Sequence, residues 1–201
     1  MSRGDSGCNI DNQLGAWGMK RSISTLVAAV VCAGILAGAA AARTAESSAT
    51  QLCSKVSASS VSSVIGYKVP AAAGTTLAAK ATKTNDFISG STLVCSFGSD
   101  TSMAALKKTV ELSYETVSKT VSAAELKVLF AKTSTLAKGL KVKFSAYPAL
   151  GGESFLMSFS EAGISVESLV AANGTKLYSA TVYGDLATSK LANLVKLAEK
   201  L

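Results

Sequence analysis

The stretch ISVESLVAANGTKLYSATVYG, Ile164–Gly184, decides the fold class. Apolar and polar side chains alternate on both sides of Asn173-Gly174, the period of a strand with one apolar face. Asn-Gly suits the left-handed dihedrals of a two-residue type I′ turn. The expected element is therefore a β-hairpin, with Val170 opposite Leu177 and Val166 opposite Thr181. A hairpin of this kind belongs to an antiparallel sheet.

Outward from the hairpin, the neighbouring segments add strands and helices. Upstream, in KFSAYPALGGESFLMSFS, Pro148 and Gly151-Gly152 bend the chain before a strand in which Phe155, Met157 and Phe159 share a face. Downstream, DLATSKLANLVKLAEKL places Leu191, Leu194, Val195, Ala198 and Leu201 on one helical face, with Asp185 as the expected opener. Further upstream, SAAELKVLFAKTSTLAKG carries a capping box, Ser122 with Glu125, and runs at helical spacing to Gly139. MAALKKTVELSYETV alternates Leu106, Lys108, Val110, Leu112 and Tyr114 against Lys107, Thr109, Glu111, Ser113 and Glu115. It predicts a strand with one wet face, on which Glu111 and Glu115 point to solvent. STLVCSFGS is a short strand with Leu93, Cys95 and Phe97 toward the core, while the preceding YKVPAAAGTTLAAKATKTND has no clean period and predicts loop with a short strand near Leu77. In CSKVSASSVSSVIG, Ser57 suits an N-cap, Gly66 a left-handed stop, and Val61, Val64 and Ile65 one buried stripe.

The order is helix, strands, helix, strands, helix, with two or three strands before the central helix and three after it. That is an α+β domain: an antiparallel sheet with an N-terminal, a central and a C-terminal helix, spanning residues 53–201 without an internal repeat.

The N-terminal quarter reads as a leader. Lys20 and Arg21 precede an uncharged run, Ile23–Ala39, followed by Ala40-Ala41-Ala42 and a polar stretch from Arg43. Residues 19–42 are the expected signal peptide, 43–52 a polar linker, and 1–18 an upstream extension of a chain whose start is Met19. N-terminal sequencing of the precursor tests that assignment. Retention of the run as an anchor is the rival reading. A lipid anchor on Cys32 fits poorly, because β-branched Val31 stands where a small residue is wanted. The expectation is thus a chain of the cell envelope or exterior that meets the membrane only in transit.

Removing Arg3, Lys20 and Arg21 from the 20 bases, and Asp5 and Asp11 from the 13 acids, leaves a net charge of +6. After Arg43 every base is lysine, and only Lys107-Lys108 are adjacent. Nucleic-acid surfaces use clustered arginine with interleaved aromatics, so no nucleic-acid partner is expected. With the leader gone, Cys53 and Cys95 remain, and an even pair in an exported chain is most simply a disulfide. A metal site finds no support: the chain has no histidine, and neither cysteine has a partner at ligand spacing.

The same lack of histidine excludes Ser-His-Asp and Cys-His catalysis. Ser122 and Lys127 offer a Ser–Lys pair, but Ser122 already caps a helix. LGGES resembles part of a phosphate loop, yet no GK[ST] follows. Asn173-Gly174-Thr175 matches a glycosylation sequon that the hairpin tip explains by itself. No catalytic residue and no cofactor is therefore expected. Tyr114, Tyr147, Tyr178, Tyr183, Phe155 and Phe159 read first as core. If a cleft exists, Tyr147, Phe155, Tyr178 and Tyr183 line it, with Gly151 and Gly152 as a rim that a partner can approach closely.

A cysteine ahead of a short helix that ends in glycine, a second cysteine in LVCSF, a capped central helix, the LGGESFL turn and strand, a hairpin and a closing helix together resemble a family. They are similar to the small actinobacterial envelope proteins with a PsbP-like α/β/α sandwich, among them LpqN-like lipoproteins and a related family of unknown function. The resemblance covers about Cys53–Leu201. In those proteins the turn usually reads GLGDEA; here Gly152 stands where aspartate is common and Ser154 where alanine is. They are commonly lipid-anchored, whereas this leader lacks the cysteine signal for it. The resemblance implies a PsbP-like sandwich, a Cys53–Cys95 pair, and a non-enzymatic domain that binds a protein or small ligand. The function expected is a secreted, non-catalytic binding or interaction domain. A carrier of a small apolar ligand lodged between sheet and helix is the second form, and a Ser/Lys hydrolase a remote third.

Overall fold

Among the described residues of the computed structural model (45–79, 90–99, 102–122, 124–126, 142–150, 153–161, 163–184 and 186–201), the alternating runs form one seven-stranded antiparallel sheet. In chain order the elements are α1 (Ala45–Cys53), α2 (Ala58–Ile65), β1 (Ala73–Ala79), β2 (Gly90–Phe97), α3 (Met103–Leu106), β3 (Val110–Thr116), β4 (Lys143–Ala146), β5 (Ser154–Glu161), β6 (Ile164–Asn173), β7 (Lys176–Tyr183) and α4 (Thr188–Ala198). The strand order is β1-β2-β3-β7-β6-β5-β4, so β3 lies beside β7, far along the chain. Residues 1–44, with the expected leader and upstream extension, lie outside the described residues. Among the described residues no helix is long and apolar enough to cross a membrane.

The first face of the sheet packs against α1, α2 and α4. Leu93, Cys95, Phe97, Val110, Leu112, Leu169, Ala180 and Val182 meet Ala49, Cys53, Val61, Ile65, Leu191, Leu194 and Val195 in one buried cluster. Of the helical stripes expected from the sequence, Val61 and Ile65 of α2 and Leu191, Leu194, Val195 and Ala198 of α4 are buried, while Val64 and Leu201, the latter past the helix end, are half-buried. Ser57 caps α2, accepting from Ser60 N, and Gly66 ends it at φ +90, which glycine adopts without a Cβ clash. Lys190 of α4 ties the helices together by donating to the Ile65 carbonyl at 2.9 Å. The disulfide expected between Cys53 and Cys95 is present, with Cα atoms 5.5 Å apart. It fastens the end of α1 to β2 and closes a loop of 42 positions, for which chain entropy gives about 4 kcal/mol.

Several expectations differ from the structure. The linker expected over 43–52 is helical from Ala45, and Ala49 is fully buried. Gly74 is the reason: β1 passes so close to the backbone of Ala49 and Thr50 that a Cβ would collide with it, and Thr50 Oγ1 accepts the Gly74 N–H at 3.2 Å. The strand expected from Leu106 begins at Val110, because Met103–Leu106 is a helical turn and Lys107 and Lys108 fall in the turn after it. That removes the anomaly of a lysine among core positions. β4 is a fourth strand after the central segment, where three were expected. The last helix starts at Thr188 with Ala187 at its N-cap, and Asp185, the expected opener, lies outside the described residues. Of the central helix, 124–126 are helical and described, and its capping box is formed: Ser122 N donates to Glu125 Oε2 at 2.8 Å and Glu125 N to Ser122 Oγ at 3.3 Å. The backbone bond from Ser122, with Lys119 at 3.1 Å, holds the Glu125 carboxyl below the ordinary range. The remaining residues of that helix lie outside the described set.

The hairpin exists, but its register is offset from the expected one. Asn173 pairs with Lys176, so the two-residue turn is Gly174-Thr175, with Gly174 at φ +61 in its first position. Val170 faces Ser179 and Val166 faces Tyr183. This register sets Ser168 opposite Thr181, whose hydroxyl donates to it at 2.9 Å, and the Tyr178 ring opposite small Ala171. Because the offset is two positions, every side chain keeps its expected face.

Candidate functional site

The second face of the sheet holds the unexpected chemistry. Alternation puts Glu111, Ser113 and Glu115 of β3 on the face opposite Val110, Leu112 and Tyr114. Pairing then sets Thr92 beside Glu115, Ser179 beside Ser113, Thr181 beside Glu111 and Ser168 beside Thr181. All are buried, and Glu111 and Glu115 are only 8% and 2% exposed. The wet face expected for β3 is therefore a correction. The second face carries its own core of Leu106, Val117, Val121, Leu126, Met157, Phe159, Val166, Val170 and Leu177, which takes the flanking polar residues out of water.

These groups form a row of hydrogen bonds across four strands. Tyr183 Oη donates to Glu111 Oε2 at 2.9 Å, the Ser113 and Ser179 hydroxyls bond each other at 2.6 Å with either able to donate, and Thr181 donates to Ser168. Burying such groups is tolerable when they satisfy one another. Glu115 is the exception. Thr92 bonds its carboxyl, yet Oε1 is buried without a hydrogen-bond partner. Burial pushes its pKa up to about 7, against the smaller lowering by Thr92. The site thus holds a carboxyl that is mostly protonated in mildly acid solution, in a row of hydroxyls that can each donate or accept.

The residues expected to line a cleft are divided between the faces. Tyr178 is buried in the first-face core and stacks at 5.6 Å on Tyr114, and Tyr147 packs against that same core. Tyr183 and Phe155 belong to the second-face core. Tyr147 N donates to Ser154 O, which brings the turn up to β5, but Gly151 and Gly152 lie outside the described residues. Of the four described, only Tyr183 joins the polar row. Ser122 serves the capping box through both its N–H and its hydroxyl, and Lys127 lies outside the described residues. The sequon Asn173-Gly174-Thr175 is exposed at the hairpin tip.

Sequence reasoning missed Thr92, Ser168, Ser179 and Thr181 altogether. Their signal was a parity on three strands shared with Glu111 and Glu115 of β3, visible only once the strand order is known. A groove of about 580 Å3 runs beside α2 and is lined by Ala58, Gly66, Tyr67 and Val69 among others. Burial raises the Tyr67 pKa there, and Ser62 is committed to accepting from Val69 N at 3.1 Å. Among the described residues no three histidine, cysteine, aspartate or glutamate side chains gather as a metal site would require. No protein-family model and no curated protein matches the chain.

Proposed function

We propose that this is an exported, non-catalytic binding domain of the cell envelope or exterior, built as a PsbP-like α/β/α sandwich, which receives its ligand against the second face of the sheet. The disulfide is compatible with life outside a reducing cytosol. The observation that carries the reading is the buried polar row with its partnerless Glu115 oxygen. A core that serves stability alone gains nothing from an unfilled acceptor, whereas a binding surface needs one. The row also favours a small ligand over a protein partner, because groups this deep reach only a molecule that enters the domain.

Native mass spectrometry of the full chain, expressed with its own leader and recovered from the envelope or medium, tests this. The expected spectrum shows a non-covalent adduct that is released on denaturation. The Ser113→Val/Ser179→Val double variant, which exchanges the central hydroxyl pair for methyls, is expected to lose it while keeping the disulfide. Bare protein from every preparation, or an adduct indifferent to the double variant, refutes the proposal.

A further inference from the structure

We propose that Asn173 is a site of spontaneous modification, converting without an enzyme into isoaspartate, and that the conversion unclasps the second-face core from the hairpin tip. The register leaves this residue without the role its sequence suggested. The turn is Gly174-Thr175, so the left-handed position falls to Gly174 at φ +61, while Asn173 ends β6 opposite Lys176. Asn173, Gly174, Thr175 and Lys176 are all exposed. Among the described residues, neither the Asn173 side chain nor the Gly174 N–H has a hydrogen-bond partner. Where a Cβ of residue 174 would stand there is open space.

The chemistry needs these atoms and water. The Gly174 backbone nitrogen attacks Asn173 Cγ, the bond from Cγ to the side-chain nitrogen breaks, and ammonia leaves with the proton of the attacking nitrogen. A cyclic imide remains. Water then opens the ring at either carbonyl. Opening at Cγ gives aspartate and restores the chain path. Opening at the α-carbonyl leaves the chain running through Cβ and Cγ, one atom longer, with the former α-carbonyl as a carboxylate branch. No electron is gained or lost. A side chain after the asparagine would crowd the attack, and glycine offers none. Asparagine is a thermolabile residue.

The extra atom falls where the fold tolerates it least. A hairpin this tight takes its register from the length of its turn. Val117 N donates to Thr175 O at 2.8 Å and Val121 N to Gly174 O at 3.3 Å, and both valines belong to the second-face core together with Leu177. Isoaspartate displaces those tip carbonyls and frees the one that faces Lys176. Aspartate adds a charge but keeps the chain length, so it leaves the clasp in place.

The test incubates the full exported protein, disulfide intact, at mildly alkaline pH and maps it by electron-transfer mass spectrometry, which tells isoaspartate from aspartate. Isoaspartate is expected at Asn173 at least about tenfold faster than any change at Asn193, whose successor Leu194 has its N–H in the ladder of α4. Gly174→Ala is expected to slow the conversion by the crowding of its methyl. Because alanine is strained at φ +61, Asn173→Gln serves as a second variant; it would have to close a larger ring and is expected to stay unchanged. The isoaspartyl protein, separated by chromatography, is expected to exchange the Val117 and Val121 amide protons about tenfold faster than the unmodified one, as the loss of a backbone hydrogen bond implies. Asn173 left intact, carrying a glycan, or converting no faster than Asn193 overturns the site. Isoaspartate with unchanged exchange at both valines overturns the unclasping.

Discussion

Glu115→Gln gives the sharpest test of the polar row, because its effect must change with pH in a defined direction. Glu115 ionises near the ordinary 4.5 in the unfolded chain and at about 7 in the folded one. The folded state therefore holds the proton more tightly. Stability from this group is fully present below about pH 4.5, falls as pH rises toward 7, and is flat beyond. A difference of that size, at about 1.36 kcal/mol per pKa unit, amounts to about 3 kcal/mol. Glutamine has no such titration. The absolute offset between variant and wild type depends on how the amide settles against Thr92, but its change with pH does not. Urea unfolding of both proteins, disulfide intact, at about pH 4 and about pH 8.5 measures that change. The variant is expected to gain about 3 kcal/mol relative to wild type between the two conditions, with the whole gain falling between about pH 4.5 and about 7.5. All other groups titrate in both proteins and cancel. Two stability curves that run parallel would refute the reasoning, because Glu115 would then ionise alike in both states and could not be the buried, half-satisfied acid described here.

Reduction of Cys53–Cys95, or Cys53→Ser with Cys95→Ser, is expected to cost up to about 4 kcal/mol, read as a lower urea midpoint in the presence of reductant. Gly74→Ala is expected to destabilise by about 1–3 kcal/mol, since a methyl at this position meets the α1 backbone rather than a side chain that could swing aside; thermal unfolding reads it. Ser57→Ala removes the acceptor for Ser60 N and is expected to cost about 1 kcal/mol, with hydrogen exchange quickening first in α2.

Alternation along the chain is local, and it assigned side chains to faces correctly even where the hairpin register was two positions off. The helical stripes of α2 and α4 and the Ser57 and Gly66 caps were legible for the same reason. What a local pattern cannot say is which faces of the sheet meet water. Glu111, Ser113 and Glu115 look like a solvated edge until Thr92, Ser179, Thr181 and Ser168 arrive from three other strands, and until residues as far apart as Leu106 and Val170 close over them. The helical 45–53 stretch was illegible for a similar cause: its polar serines hide the two positions, Ala49 and Cys53, that tertiary packing selects. A chain whose local preferences and final fold agree nearly everywhere is expected to break that agreement where function demands it. β3 is where this chain breaks it most plainly, since leucine or valine in place of Glu115 would leave no unfilled acceptor in the core, at the cost of the Thr92 hydrogen bond. A half-satisfied carboxyl at that position is the physical reason to look for the proposed ligand there rather than in the open groove beside α2.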